Sequence, residues 1–124
     1  MTPASDVHPS RVRAYLAVTS NLGVPVIWHI VRFDLSSVDE ATRTELEQQL
    51  AGLVHLDEVA WLTVARDLDA PEVTGLVTLF SSYEDLDAYR VHPQHVPVVE
   101  RIRSLGIPVT RLDIDADLPP STIS

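Results

Sequence analysis

Four segments of the chain are rich in β-branched and aromatic residues, and this pattern predicts β-strands over residues 26–33, 59–66, 74–80 and 107–114. The first strand has the two-residue period of extended backbone, which sends alternate side chains to opposite faces of a sheet. One face carries Ile27, His29, Val31 and Phe33, and the other carries Val26, Trp28, Ile30 and Arg32. Both faces are largely apolar, so we expect this strand to be covered on both sides.

Helical spacing between the strands predicts three helices. Ser37 and Glu40 fit a capping box with serine as the N-cap, and the helix that follows runs to about residue 54 with Leu46 and Leu50 on its buried stripe. The polar side chains that lie off this stripe are Glu45, Glu47, Gln48 and Gln49. A second capping box at residues 81–84 opens a helix through residue 89, and Pro93 suits the first turn of a third helix. The apolar face of this third helix comprises Val98, Val99, Ile102 and Leu105.

The order of these elements predicts the fold class. Strand, helix, strand, strand, helical segment and strand follow one another, which is the split βαβ pattern of a ferredoxin-like α+β protomer. We therefore expect a four-stranded antiparallel sheet with the helices on one face, formed by residues 25–116. Residues 1–24, with prolines and serines near their start, are expected to be an N-terminal extension with a short helix over residues 11–19, and residues 117–124 a C-terminal tail.

The second face of the predicted sheet has no helices to cover it. It would expose Trp28, Ile30, Leu112 and Ile114. Because a large exposed apolar face marks an interface, the pattern predicts a homodimer in which two sheets pack face to face.

Composition narrows the classes of function. The 124 residues suit one domain, and 45% of them are hydrophobic, which is enough for a core. The absence of cysteine excludes disulfides and thiolate chemistry and agrees with the cytoplasm, where we expect the protein to be. A formal net charge of −9 with no lysine argues against nucleic acid as a partner. No apolar run approaches the ~20 residues of a membrane span, and the first residues do not form a signal peptide, so no membrane partner is expected.

The segment over residues 89–96 (YRVHPQHV) concentrates acid–base groups. Tyr89, His92 and His95 lie within it, and His29 shares a face of the first strand with Val31 and Phe33, which we expect to meet the helices. Imidazole suits proton transfer near neutral pH, and a phenol can donate to a developing oxyanion. These four side chains could converge on one cavity; the alternative is that the tyrosine is a core residue and the histidines only satisfy backbone groups.

The histidines could also form a metal site, and Arg111 could form an anion site. His29, His92 and His95 could form a zinc site, but no spacing requires a metal and we predict none. Arg111 shares a strand face with Asp113 and would point toward the helices, where it could bind a carboxylate or a thioester-linked anion; a surface ion pair between the two is the alternative. The sequence has neither a glycine-rich phosphate loop nor a GxSxG motif.

Two segments resemble the stress-responsive A/B barrel (Dabb) family. Residues 27–33 (IWHIVRF) resemble its first strand, and residues 89–95 (YRVHPQH) resemble its Y-x-x-H-P-x-H signature. The resemblance covers residues 26–116. It implies a ferredoxin-like protomer and a dimeric α+β barrel.

The family includes a plant polyketide cyclase that works without a cofactor, and the resemblance implies roles for several residues here. His95 corresponds to the base and Tyr89 to the donor for the oxyanion. The further pocket positions are His29, His92, Leu76, Phe80 and Asp113. Leu46 and Leu50 stand where the cyclase has aromatic pocket residues, and Arg111 replaces an aliphatic one. Pro97 falls inside the helix expected to follow His95, which could move that histidine.

Our leading hypothesis is a cofactor-independent acid–base enzyme of the polyketide cyclase type that acts on a carbonyl-rich small molecule. In it, Leu46, Leu50, Leu76 and Phe80 wall the cavity, and His29, His92, Arg111 and Asp113 contact the substrate. The sequence also fits two alternatives: a non-catalytic protein that binds an apolar ligand or a protein partner, and a cofactor-free monooxygenase.

Overall fold

The computed structural model describes residues 25–117, so the predicted N-terminal extension with its short helix lies outside the described residues, as does nearly all of the predicted tail. The strands are β1 (Pro25–Asp34), β2 (Trp61–Arg66), β3 (Val73–Phe80) and β4 (Val109–Asp117). The helices are α1 (Glu40–Gly52), α2 (Tyr83–Arg90) and α3 (Val96–Ser104), with a short 3-10 turn (Leu53–His55) after α1. All neighbouring strands are antiparallel in the order β2-β3-β1-β4, which confirms the ferredoxin-like α+β fold.

The helices begin later than the predicted capping boxes. Asp39, not Ser37, is the N-cap of α1: its carboxylate accepts a 2.7 Å hydrogen bond from the Thr42 N–H. An ionised carboxylate at this position also interacts favourably with the helix dipole. Ser82 rather than Ser81 caps α2, accepting from the Asp85 N–H at 3.1 Å.

The helix-facing side of the sheet and the helices enclose the core. The side chains buried there include Ile27, Val31, Phe33, Leu46, Leu50, Leu62, Val64, Leu76, Phe80, Leu86, Tyr89 and Ile102. Phe80 and Tyr89 are completely buried. Since fully burying one large apolar side chain stabilises a fold by about 1.5–3 kcal/mol, this cluster fixes α2 against β1 and β3.

A buried polar cluster joins α1 to β2 and β3. Glu47 accepts hydrogen bonds from the Thr74 hydroxyl (2.6 Å) and from Nη2 of Arg66 (2.9 Å). Arg43 is buried and donates to the Thr74 hydroxyl at 3.0 Å. The expectation that Glu47 lies off the buried side of α1 was wrong, because this network draws the carboxylate against the sheet. Burial by itself would raise the pKa of Glu47, but the bonds from Arg66 and Thr74 bring it below its usual value.

The opposite face of the sheet carries exposed apolar side chains, as predicted. Leu112 is 55% exposed and Ile114 is 39% exposed, while Trp28 and Ile30 are half-buried. Strand β4 runs to Asp117, three residues beyond the predicted end, because β1 continues to pair with it as far as Pro25. No helix within residues 25–117 is long and apolar enough to cross a membrane.

Candidate functional site

A cavity of about 400 Å³ lies between β1, β4, α3 and the end of α2. Its apolar wall comprises Val31, Phe33, Leu50, Leu76, Val98, Val99, Ile102, Ile107 and Val109. Its polar lining comprises His29, His95, Arg90, Arg103 and Arg111. A concave, mostly apolar space with a few converging polar groups is the usual form of a small-molecule site.

His29 reaches the cavity from β1 and is bonded to Asp113 on the neighbouring strand. The two residues are paired in the β1–β4 register, so their side chains emerge side by side on the same face. Nδ1 of His29 bonds to Oδ1 of Asp113, and a guanidinium nitrogen of Arg90 lies 3.4 Å from Oδ2. Burial would raise the pKa of Asp113, but the bond to His29 and the charge of Arg90 hold it below its usual value. Because the resulting carboxylate can only accept, the proton lies on Nδ1 of His29, and Nε2 is the nitrogen left for a ligand.

His95 lies immediately before α3 and has an equivalent arrangement. Its Nδ1 is 3.3 Å from the Arg90 carbonyl oxygen, which can only accept, so Nδ1 carries the proton and Nε2 carries the lone pair. Burial lowers the pKa of His95, and the charges of His29 and His92 act in the same direction against the opposing Arg90 carbonyl. The ring is therefore neutral, and able to accept a proton, at neutral pH.

Tyr89 lies behind both histidines rather than in the cavity wall. Its ring centroid is 4.1 Å from that of His95 and 5.8 Å from that of His29, and Phe80 packs on it at 4.9 Å. The hydroxyl is buried near Thr78 but makes no hydrogen bond of ordinary geometry with any residue in the described range. Burial raises the pKa of Tyr89 far above its usual value, with Thr78 opposing, so the phenol remains a neutral donor.

His92 organises the turn between α2 and α3 and does not line the cavity. Its Nδ1 accepts a 3.0 Å hydrogen bond from the Gln94 N–H, and its Nε2 is 3.9 Å from Glu58. Pro93 lies in this turn and not in the first turn of α3, so that prediction was wrong. The helix begins instead at Val96, which puts Pro97 in its first turn, where a missing N–H leaves no bond unmade.

The predicted apolar wall is divided between the cavity and the core. Leu50 and Leu76 line the cavity. Leu46 and Phe80 are buried in the core cluster, and Phe80 contacts the His29 ring edge-on at 6.3 Å between centroids. Arg111 lines the cavity with its side chain 66% exposed, and its Nε is 4.0 Å from Asp113.

Two arginines at the cavity were given no role from the sequence. Arg90 lies inside the signature segment, and Arg103 lies one helical turn after Val99, on the cavity side of α3. The i, i+4 spacing of Val99 and Arg103 could have placed both on one face. The three histidines do not converge, since His92 faces Glu58, and no group of three or more His, Asp or Glu within residues 25–117 is arranged to hold a metal ion.

These features define a ferredoxin-like α+β domain whose cavity lies beside two oriented imidazoles. The stress-responsive A/B barrel domain (Dabb) family matches residues 27–116, and the chain belongs to this family. It is 29% identical over 107 residues to the stress-response A/B barrel domain-containing protein DABB1 of Arabidopsis thaliana, a match that covers 80% of this chain and 51% of that protein. The chain thus spans about half the length of this curated relative.

Solved structures share the fold at low sequence identity. SnoaB, a cofactor-independent oxygenase from Streptomyces nogalater, matches with a TM-score of 0.60 and 10% identity over 80% of this chain and 98% of that one. At3g17210 from Arabidopsis thaliana matches with a TM-score of 0.58 and 21% identity, covering 79% and 98%. A dimeric ferredoxin-like protein of unknown function from Thermobifida fusca matches with a TM-score of 0.61 and 18% identity, covering 79% and 95%.

Proposed function

We propose that this chain is an acid–base enzyme of the polyketide cyclase type, which acts on a carbonyl-rich small molecule without a cofactor. The observation that carries the proposal is that His29 and His95 line one apolar cavity, each with Nδ1 tied to an acceptor. Two imidazoles fixed in this way present their other nitrogens to the same bound molecule.

His95 is the base in this proposal. Its Nε2 removes a proton from a carbon next to a substrate carbonyl, and the electron pair of the broken C–H bond moves into an enolate. The lowered pKa of His95 keeps the ring neutral at pH 7, which a base requires before it acts. The enolate carbon then attacks a second carbonyl of the same molecule to close a ring. The π bond of that carbonyl breaks to give an alkoxide, which takes the proton back from Nε2 of His95.

His29 orients the substrate in this proposal. The Asp113 carboxylate holds its ring through Nδ1, as the aspartate of a catalytic triad holds its histidine, so that Nε2 faces the bound molecule. Tyr89 packs against both rings, tilted against His95 and edge-on to His29. A direct hydrogen bond from the Tyr89 hydroxyl to the oxyanion stays a prediction. It requires the His95 ring, which packs on the Tyr89 ring, to leave the hydroxyl within reach of the substrate.

The test is the aldol cyclisation of a poly-β-keto N-acetylcysteamine thioester by the full chain, followed by mass spectrometry. Positioned general base catalysis contributes about 10²–10⁴-fold, so His95→Ala should lower turnover by that factor without changing the melting temperature by more than a few degrees. His55→Ala is the matched control, since His55 is exposed and does not line the cavity. Equal turnover of the two variants would remove His95 from the mechanism.

A cofactor-independent oxygenase is the second candidate, because SnoaB shares the fold and is described as one. The same base would deprotonate a quinol-like substrate, which then reacts with molecular oxygen. Oxygen consumption with an anthrone probe, lost in His95→Ala, would favour this reaction over cyclisation. Thermal stabilisation by either probe without turnover would instead identify a non-catalytic binding protein.

We also propose that two copies pack through the open face formed by Trp28, Ile30, Leu112 and Ile114. The exposed Leu112 and Ile114 support this, as does the dimer described for the Thermobifida fusca protein. Leu112→Asp should convert a dimer into a monomer in light scattering, because it would bury a carboxylate against its own copy across a two-fold axis. The control is Leu68→Asp, whose side chain is 98% exposed outside the sheet. A monomeric wild-type chain would overturn the proposal.

A further inference from the structure

The polar lining of the cavity is entirely basic. It comprises His29, His95, Arg90, Arg103 and Arg111, and no carboxylate within residues 25–117 is part of it. The whole chain has 18 acidic residues against 9 arginines and no lysine, so a lining without acids contrasts with the net negative charge of the protein. A cleft lined by one sign of charge and apolar walls concentrates ligands of the opposite sign.

Two of these arginines, Arg103 and Arg111, have no close carboxylate partner in the described part of the chain and are available to bind an anionic ligand. Arg90 shares its guanidinium with Asp87 at 2.9 Å and Asp113 at 3.4 Å. Arg111 has only a 4.0 Å approach to Asp113, and Arg103 forms no ion pair with any carboxylate of residues 25–117.

The neighbour of Arg103 on the same helix behaves differently. Arg101 forms an ion pair with Glu45 and donates to Gln49 at 3.2 Å, and it does not line the cavity. Helix α3 therefore carries one arginine that holds it against α1 and another that projects toward the cavity without a carboxylate partner in the described part of the chain.

Exposure orders the polar groups along the cavity. His29 is 7% exposed and lies at the inner end, whereas the Arg111 side chain is 66% exposed and Arg103 is also exposed, which places both at the mouth. Apolar side chains of α3 and β4, among them Val99 and Val109, lie along the same cavity.

We propose that the ligand of this cavity is an amphiphilic anion. Its carboxylate or phosphate group binds Arg103 and Arg111 at the mouth, and its apolar part extends along α3 and β4 toward His29 and His95. Guanidinium groups suit this role because they bind carboxylate and phosphate oxygens through paired N–H donors. The proposal rests on the proposed function in naming that enzyme's substrate class: a carbonyl compound with an anionic end remote from the reacting carbon.

The test is isothermal titration of the full chain with octanoate, octan-1-ol and octyl phosphate, each below its micelle concentration. We expect the wild-type chain to bind at least one of the anions at least tenfold more tightly than octanol, with an affinity that falls as salt rises. Arg103→Gln with Arg111→Gln should weaken anion binding at least tenfold and leave octanol binding within twofold. Arg101→Gln is the matched control, since it removes the same charge from the same helix outside the cavity, and it should bind like the wild type.

The phosphate and carboxylate probes distinguish the two kinds of head group, and tighter binding of either supports the proposal. Equal binding of octanol and both anions by the wild-type chain would overturn it, as would binding of no probe. No turnover enters this measurement. An inactive His95→Ala variant that keeps the anion preference would separate the two proposals, and so would an active wild-type chain that lacks it.

Discussion

Two charged clusters lie on the helix-facing side of the same sheet, and they leave their polar groups in different states. At the β2–β3 end, Glu47 is bonded to Thr74, Arg66 and Arg43, so donors and acceptors are matched. At the β1–β4 end, His29 and His95 each have one nitrogen engaged, and Arg103 has no carboxylate partner within residues 25–117. The cavity described above lies beside the second cluster, and none of the residues of the first cluster lines it.

The number of hydrogen-bond partners of a buried polar group distinguishes a structural role from a ligand-binding one. A carboxylate that accepts hydrogen bonds from several donors in a packed site is costly to separate from them. Glu47 therefore fixes one arrangement of α1, β2 and β3. Polar groups that keep unused donors or lone pairs next to an apolar space instead cost stability unless a ligand uses them. We therefore assign the Glu47 cluster to folding, and the unused nitrogens of the His29–His95 cluster support the proposed acid–base chemistry.

The largest expected effect is on stability and comes from removing the charge of Glu47. Glu47→Gln removes the charge that compensates Arg43, whose side chain is 9% exposed, and should lower the free energy of unfolding by about 3 kcal/mol, the lower end for a broken buried pair. This corresponds to a fall of roughly 10 °C in melting temperature at fixed protein concentration. Glu100→Gln on the exposed side of α3 is the control and should change the melting temperature by less than about 2 °C.

Anion binding at the cavity should be unchanged in Glu47→Gln below its melting temperature. A variant as stable as the control would show that Arg66 and Thr74 hold α1 in place without the carboxylate charge, and the contrast between the two clusters would then fail.

A smaller effect, on turnover and not on stability, is expected from a substitution beside His29 in the cavity. Asp113→Asn keeps an oxygen that accepts from His29 but removes the negative charge, so turnover should fall about tenfold to hundredfold, the usual cost of losing an orienting partner. The melting temperature should fall much less than in Glu47→Gln. Asp115→Asn, two residues along the same strand and exposed, is the control. Turnover equal to that control would assign Asp113 to structure and not to the reaction.

The sequence predicted the fold well because periodicity records which face of each element is apolar. Alternation in β1 correctly put His29 with Val31 and Phe33 on the helix-facing side, and the exposed Leu112 and Ile114 were predicted from β4. Helix starts were less well predicted, since Ser and Asp near a helix compete for the cap.

The candidate site was predicted only in part, because a cavity depends on distances between elements. The spacing of α3 shows that Val98, Val99 and Ile102 are apolar, but it does not show that α3 and β4 leave space between them. Glu47 was misplaced for a related reason: hydrophobic spacing gives no sign that Arg43 and Thr74 would hold a carboxylate at the edge of the core.

The smallest expected effect separates the two clusters by pH. The pKa of His95 is lowered in the folded chain, mainly by burial, so below the unfolded value of about 6.5 the unfolded chain binds a proton that the folded chain does not. Its contribution to stability is therefore complete above that pH and is lost as pH falls through the folded pKa. The pKa of Glu47 is also lowered, so its contribution is lost by the same sign but in a more acidic window, below about 4.5.

Urea unfolding of the full chain at pH 7.5, 5.5 and 4 measures both windows. His95→Gln should flatten the loss of stability between pH 7.5 and 5.5, whereas Glu47→Gln should flatten the loss between pH 5.5 and 4; His55→Gln should change neither. The separation follows from the partners. In the described part of the chain, the backbone carbonyls of Arg90 and Tyr89 oppose the cost of burying the His95 ring, while Glu47 has two guanidinium groups. Parallel pH curves for the wild type and His95→Gln would mean that the ring is hydrated in solution, and then it would not be the desolvated base on which the cavity chemistry depends.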